Sequence, residues 1–164
     1  MSDVRIRLAT ADDLNSINEI YNYYVLHSTC TYQVESSTAQ ERLAWFAEHG
    51  PKHAITVAEV DNHVIGWGSV SRFHSRCAYS RTVEDSVYVR HDGHRKGIGT
   101  AILTDLIERS RAAGHHTIVA LIDSSQPGSL ALHRKLGFEP RGHLREVGNK
   151  FDRWLDVIYM QLLL

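Results

Sequence analysis

From Thr82 to Thr100 the chain reads TVEDSVYVRHDGHRKGIGT, a β-prone run that passes through glycines into a helix. Ile98, Ile102, Leu103, Leu106 and Ile107 follow at helical spacing, and Gly114 stands where a helix ends. A strand that enters a helix through Gly97 and Gly99 leaves successive backbone amides unpaired, able to aim at one anion such as a pyrophosphate. Glycine permits the close approach this requires, Arg95, Lys96 and the helix dipole add positive potential, and Thr100 offers a hydroxyl. The same glycines suit an ordinary helix start, so context has to decide. Counted from Gly93, the P-loop pattern fails because position 98 is Ile. A dinucleotide fingerprint would place its third glycine where Ile102 stands, and would open a βαβ unit at the start of the domain. Nucleotide hydrolysis and nicotinamide chemistry therefore lose support.

The remaining chain alternates short strands with amphipathic stretches. Val4 to Leu8 reads as a strand, and Thr10 with Asp13 forms a capping-box signal ahead of Leu14, Ile17, Ile20, Tyr21, Tyr24 and Val25 at helical spacing. A second helix runs from about Thr38 to His49 through Leu43, Trp45 and Phe46. ITVAEV and HVIGWGSV flank Asp61 and Asn62 as a hairpin, and an Arg- and Ser-rich loop spans Ser71 to Arg81. TIVALI reads as a buried strand and SLALHRKL as a helix closed by Gly137. FEPRGHL and DVIYMQLLL are the last two strands, the final one apolar enough to lie inside a sheet. The expected fold is a mixed α+β sheet flanked by helices, in the order strand, helix, helix, three strands, helix, strand, helix, two strands, as one domain over residues 1–164.

Composition narrows the function. The 164 residues carry 18 Lys plus Arg against 19 Asp plus Glu, with no basic tract for nucleic acid or anionic lipid. Two cysteines, Cys30 and Cys77, and a polar start without a signal or spanning stretch point to a reduced, cytoplasmic setting. His91 and His94 form HxxH without a Cys or carboxylate set at ligand spacing, so no metal is expected.

HRKGIGT after a strand, with SLALHRKLGF about thirty residues on, resembles the GNAT acetyltransferase superfamily. TVEDSVYV, LHRKLGF and GNKFDRWLDVIYMQ are similar to the phosphinothricin and methionine sulfoximine N-acetyltransferase family over nearly the whole chain. The resemblance implies the GNAT fold, a homodimer, and transfer of acetyl from acetyl-CoA to the α-amine of a small amino acid of phosphinothricin, methionine sulfoximine or methionine sulfone type. It assigns acetyl-CoA binding to Val87, Tyr88, Val89, His94, Arg95, Lys96, Gly97, Ile98, Gly99, Thr100, Gln126 and Ser129. In two places the chain departs from the pattern: His94 replaces the usual Gln or Arg, and Gln126 replaces Asn.

An amine attacks a thioester only when unprotonated, so the site needs a base. Glu84 shares a strand face with Thr82, Ser86 and Tyr88, opposite Val83 and Val87, which by itself suits a solvent-facing carboxylate better than a catalytic one. Its match to the family's TVE glutamate implies the base. The resemblance also implies that backbone groups at Val87 to Val89 polarise the thioester carbonyl. It sets His133 near the leaving thiolate, where general acid and structural use both stay open. Arg76 matches a family arginine beside the substrate, and its planar fork suits a carboxylate; Tyr79 and Tyr32 resemble further pocket positions. Acetylation of Cys77 is the competing covalent route, with only His74 nearby as a base. Alternatives are a GNAT enzyme acting on a protein N-terminus or other amine, and a non-catalytic acetyl-CoA sensor or dimer module, against which the retained Glu84, Gly97 and Gly99 argue.

Overall fold

Asp61 and Asn62 both take left-handed backbone angles, φ 49° and 63°, and so close the two-residue hairpin between β2 (Ile55–Val60) and β3 (His63–Arg72). Around that hairpin the chain lays down β1 (Arg5–Leu8), α1 (Leu14–His27) and α2 (Ala39–Glu48) before it, and β4 (Thr82–Val89), α3 (Ile98–Ala112), β5 (Thr117–Asp123), α4 (Pro127–Lys135), β6 (Glu139–Lys150) and β7 (Arg153–Leu163) after it. The structure is a computed structural model and describes residues 4–93 and 97–164. Both early helices begin as their sequences require. A capping box of Thr10 and Asp13 opens the turn into α1, and the Thr38 hydroxyl accepts from the Glu41 amide at 3.1 Å to start α2.

Seven strands form one sheet in the order β1-β2-β3-β4-β5-β7-β6. Every neighbouring pair is antiparallel except β4 and β5, which run parallel only from Thr82 to Glu84 opposite Thr117 to Val119. Beyond that point they part, while β4 stays paired with β3 as far as Val89 and β5 with β7 as far as Asp123. As its apolar run requires, β7 lies inside the sheet.

The alternation of β3 sorts the two faces. Trp67 packs with Leu14, Ile17, Ile20 and Val57 under α1, whereas Gly66 and Gly68 point to the other face, where Ile102 and Leu106 of α3 lie in the main core. A Cβ added at Gly68 would sit 2.5 Å from the Ile102 side chain and 3.0 Å from the Ser86 carbonyl oxygen. The absence of a side chain is what lets α3 rest directly on the sheet.

The last two strands are longer than FEPRGHL and DVIYMQLLL suggest. Their turn falls at Phe151 and Asp152, both at positive φ (54° and 56°), without the glycine or asparagine that would announce it. β6 pairs only with β7, with register breaks between Pro140 and Gly142 and between Leu144 and Gly148, so its sequence carries no regular alternation.

Gly68→Ala should cost about 1–3 kcal/mol of unfolding free energy in a urea titration, because the added methyl overpacks the α3 contact. Stability equal to the parent would show that α3 has room to move away.

Candidate active site at the parting of β4 and β5

Where β4 leaves β5, the gap holds two cavities that meet. One, of about 480 Å³, is lined by Val87, Tyr88 and Val89 from β4, by Gly97, Ile98, Gly99 and Thr100 at the start of α3, and by Gln126 and Ser129 at the start of α4. Two helix N-termini thus face one space, a setting that favours anionic groups. Gly97 sits at φ 76°, in the left-handed region that glycine tolerates, and turns the chain into α3. A Cβ on Gly99 would stand 3.3 Å from the Leu132 side chain, across this same cavity. The Tyr24 hydroxyl donates to the Val89 carbonyl and anchors the end of β4. His94, Arg95 and Lys96 lie outside the described residues.

The second cavity, of about 670 Å³, contains Glu84, Tyr32 and His133, and shares Cys30, Val87, Tyr88 and Ser129 with the first. Its floor is the β3–β4 ladder: Glu84 stands opposite Ser71, and Tyr88 opposite Trp67. Burial, reinforced by the neighbouring Asp85 charge, holds the Glu84 carboxyl above the usual carboxylate range. Tyr32 is fixed by donating its hydroxyl to the Asp156 carbonyl at 2.9 Å. Its ring lies so near Gly148 that a Cβ there would meet it at 2.7 Å.

Asp85 points to the opposite face of β4 and reaches α4. His133 Nε2 donates to Asp85 Oδ2 at 2.9 Å, and Nδ1 donates to the Ser129 carbonyl at 2.8 Å. Both ring nitrogens therefore face oxygen acceptors, an arrangement that calls for a proton on each. Burial disfavours the charged ring, yet the Asp85 charge, its hydrogen bond and the Ser129 carbonyl together raise the His133 pKa above the ordinary histidine value. Asp85 Oδ1 is buried without a partner. Asp85 is the first β4 residue beyond the last β4–β5 pair, so this ion pair bridges the gap where it opens.

The segment after α1 closes the gap from the other side. Lys150 Nζ is buried and donates to the Ser28 and Thr31 carbonyls at 2.6 and 2.8 Å. Gln126 Nε2 donates to Thr29 Oγ1 at 3.3 Å. Cys30, on this segment, sits where the two cavities join, and burial pushes its thiol up, away from thiolate.

Every described residue expected to hold acetyl-CoA lines the first cavity, and Glu84, Tyr32 and His133 line the second. Arg76 and Tyr79 line neither: they lie on the exposed loop between β3 and β4, where Tyr79 packs on Phe73 and His74. That loop springs from the end of the hairpin next to Glu84. Cys77 is exposed beside Arg76. His91 stacks on Tyr23 with centroids 4.1 Å apart. Among the described residues no group of three or more His, Cys, Asp or Glu is placed to hold a metal ion. Sequence reasoning missed Asp85, Arg42 and Cys30 as cavity residues. For Asp85 the alternation of β4 was a usable signal, since it points a carboxylate to the apolar side of the strand.

Residues 17–138 match the Acetyltransferase (GNAT) family. The chain is 42% identical over 159 residues to the L-methionine sulfoximine/L-methionine sulfone acetyltransferase of Pseudomonas paraeruginosa, covering 96% of this chain and 92% of that protein. It is 36% identical over 158 residues to the phosphinothricin N-acetyltransferase of Streptomyces viridochromogenes, covering 96% and 86%. Among solved structures, a GNAT superfamily phosphinothricin acetyltransferase from Sinorhizobium meliloti in complex with AcCoA superposes with TM-score 0.95 at 39% identity, covering 100% of this chain and 89% of that one.

The raised His133 pKa has a stability consequence of defined sign. A histidine that gains proton affinity on folding stabilises the fold fully below its unfolded pKa, and that stabilisation is lost as pH rises through the folded value. Asp85→Asn removes the charge that raises it. The gap in unfolding free energy between parent and Asp85→Asn should therefore be larger at about pH 5.5 than at about pH 9, on either side of the histidine range. A gap independent of pH would mean that His133 is neutral in the folded protein.

Proposed function

The chain belongs to the GNAT acetyltransferase family, and we propose that it works as a single domain that moves acetyl from acetyl-CoA to the α-amine of a small amino acid of phosphinothricin, methionine sulfoximine or methionine sulfone type. The observation that carries this reading is the junction of the two cavities at Val87, Tyr88, Cys30 and Ser129, with the glycine-bounded start of α3 on one side and Glu84 on the other. Acetyl-CoA supplies an activated thioester. The first cavity fits it: two helix starts favour the pyrophosphate, and Gly99 keeps open a space that a side chain would enter.

Glu84 takes the proton from the acceptor amine, through water where the two do not touch, and its raised pKa brings it closer to the amine it serves. Backbone groups of Val87 to Val89 orient the thioester carbonyl. His133, whose Nε2 is committed to Asp85, acts by holding α4 and a positive charge beside the junction. Arg76 and Tyr79 meet the acceptor at the end of β3 and β4, where an exposed cation steers anionic amino acids inward, and Tyr32 forms part of the wall. No step requires Cys77.

The chain acts as a homodimer in this reading. Tyr32, Leu144, Val147, Phe151 and Trp154 are exposed apolar side chains on or beside the β6–β7 hairpin, Trp154 at 65%, the kind of surface that a second copy covers. A cytoplasmic setting agrees with two free cysteines; among the described residues no helix is long and apolar enough to cross a membrane.

Glu84→Gln should lower turnover at neutral pH by roughly 10²–10⁴-fold with little change in acetyl-CoA affinity, and the residual rate should climb as rising pH deprotonates the free amine. In the parent, the acidic limb of the kcat/KM profile should lie above the ordinary glutamate value of about 4.3. An unchanged pH profile in Glu84→Gln would remove Glu84 as the base. Intersecting initial-rate plots and an active Cys77→Ser are expected of direct transfer, whereas parallel plots with acetylated Cys77 would establish the covalent route.

Gly99→Val should weaken acetyl-CoA binding measured by calorimetry while the variant stays folded, because its side chain enters the cavity between α3 and Leu132. Affinity equal to the parent's would move the cofactor elsewhere.

A further inference from the structure

Arg42 is a buried cation with no anionic partner among the described residues. It stands on α2 with only 5% of its surface exposed. Its guanidinium carbon lies 4.7 Å from the Tyr21 ring centroid, 4.6 Å from that of Trp45 and 5.7 Å from that of Trp67. Nε donates to Asn18 Oδ1 at 3.0 Å. No carboxylate among the described residues lies within ion-pair distance of it, and its terminal nitrogens donate to no oxygen of those residues.

Burial lowers the pKa of Arg42, partly offset by Tyr21, Tyr88 and Glu41, but a guanidinium stays charged through any such shift. Aromatic faces return part of the lost hydration. They accept none of the in-plane N–H bonds, and a buried charge with donors left over is costly unless something completes it. Trp67, 2% exposed, lies against Arg42, its indole Nε1–H enclosed and without an acceptor among the described residues. Both residues line the cavity that contains Glu84. One wall of that cavity thus carries guanidinium donors that the described residues do not satisfy. The missing partner is an acceptor of the bound molecule, and beside a guanidinium the best acceptor is an oxyanion.

We propose that Arg42 receives an acidic oxygen group of the acceptor, either its α-carboxylate or a side-chain oxyacid of phosphinate type, and thereby sets the charge class of amine this protein acetylates. This rests on the reading of the cavity as an acceptor site for amino acids and adds the group that recognises them. Arg76, on the exposed loop, meets the acceptor before entry; Arg42 meets it inside. Tyr21, Trp45 and Trp67 hold the guanidinium plane in place, so its fork is already oriented when the oxyanion arrives.

The test uses Arg42→Lys, which keeps the charge and much of the stem but loses the fork, and Arg42→Gln, which loses both. Each variant is first compared with the parent in thermal unfolding and in acetyl-CoA binding by calorimetry. CoA release is then measured with an amino acid against its amide, and with an acceptor bearing a side-chain oxyacid against one with a neutral side chain. Loss of a charge-assisted hydrogen bond should raise KM by roughly 10–100-fold more for the acceptor that carries the recognised oxyanion than for its neutral counterpart. A difference confined to the amide comparison assigns the α-carboxylate, one confined to the side-chain comparison assigns the oxyacid, and either supports the proposal. Equal changes for all four acceptors, or no change in KM, overturn it.

Should both variants fail to fold, the parent decides: Trp45 and Trp67 emission should respond to the acidic member of at least one pair and far less to its neutral counterpart, and equal responses within both pairs overturn the proposal. The two readings fail separately. A parent that releases no CoA with any amino acid sinks the acetyl-transfer reading, while the fluorescence titration still reports whether Arg42 binds an oxyanion. An active parent whose Arg42 variants discriminate as it does sinks only the role of Arg42.

Discussion

Three parallel residue pairs join β4 to β5 before the strands separate, and the rest of the molecule is arranged around that separation. A sheet cannot leave polar backbone edges exposed in its interior without giving them other partners or access to a ligand. Here each strand keeps its outer neighbour, β3 for β4 and β7 for β5, so both stay ordered while their facing edges open. The opening is then closed from two directions. On one face α4 is drawn to β4 by Asp85 and His133. On the other, the segment after α1 is held by Lys150 and by Gln126. What remains between them is a pair of joined cavities, and the proposed transfer occurs where they meet.

The charges around this gap follow one rule: a buried ion either has its partner in the chain or opens toward a cavity. Lys150 is satisfied by two carbonyls and His133 by a carboxylate and a carbonyl. Glu84 has no cationic partner among the described residues and responds with a raised pKa, which suits the proton acceptor it is proposed to be. Arg42 has its pKa lowered by burial yet keeps its proton, because guanidinium does not give it up, and in the proposal it waits for an oxyanion. The Asp85–His133 pair also explains why two adjacent carboxylates differ. Asp85 turns toward α4 and pairs with the His133 ring; Glu84 turns to the other face of β4, where its carboxyl has no such partner among the described residues.

Close packing fixes where the helices can stand. Gly66 and Gly68 bring α3 against β3, which sets the start of α3, and with it Gly97 and Gly99, beside the end of β4. The first cavity therefore depends on two glycines of β3 that do not line it as well as on the two at the start of α3 that do.

The order of elements, the hairpin at Asp61 and Asn62, both capping boxes and the strand, glycine loop and helix of residues 82–112 were legible in the sequence, because each depends on neighbours along the chain: apolar period, turn chemistry and backbone freedom. So was most of the first cavity, since its lining comes from contiguous motifs. The β6–β7 turn was not, because Phe151 and Asp152 adopt positive φ under the demands of the strands they join. Nor were the link from Asp85 to His133 across 48 residues, the reach of Lys150 to Ser28 across 122, or the place of Arg42 in the cavity that contains Glu84. Helical spacing puts Arg42 on a helix but cannot say that three aromatic rings from other turns and strands will bury it. The sequence alone determined which backbone conformations the chain can hold and which motifs it carries. Only the tertiary structure decided which charges lose their water and what they face afterwards, because desolvation is set by groups brought together from distant parts of the chain.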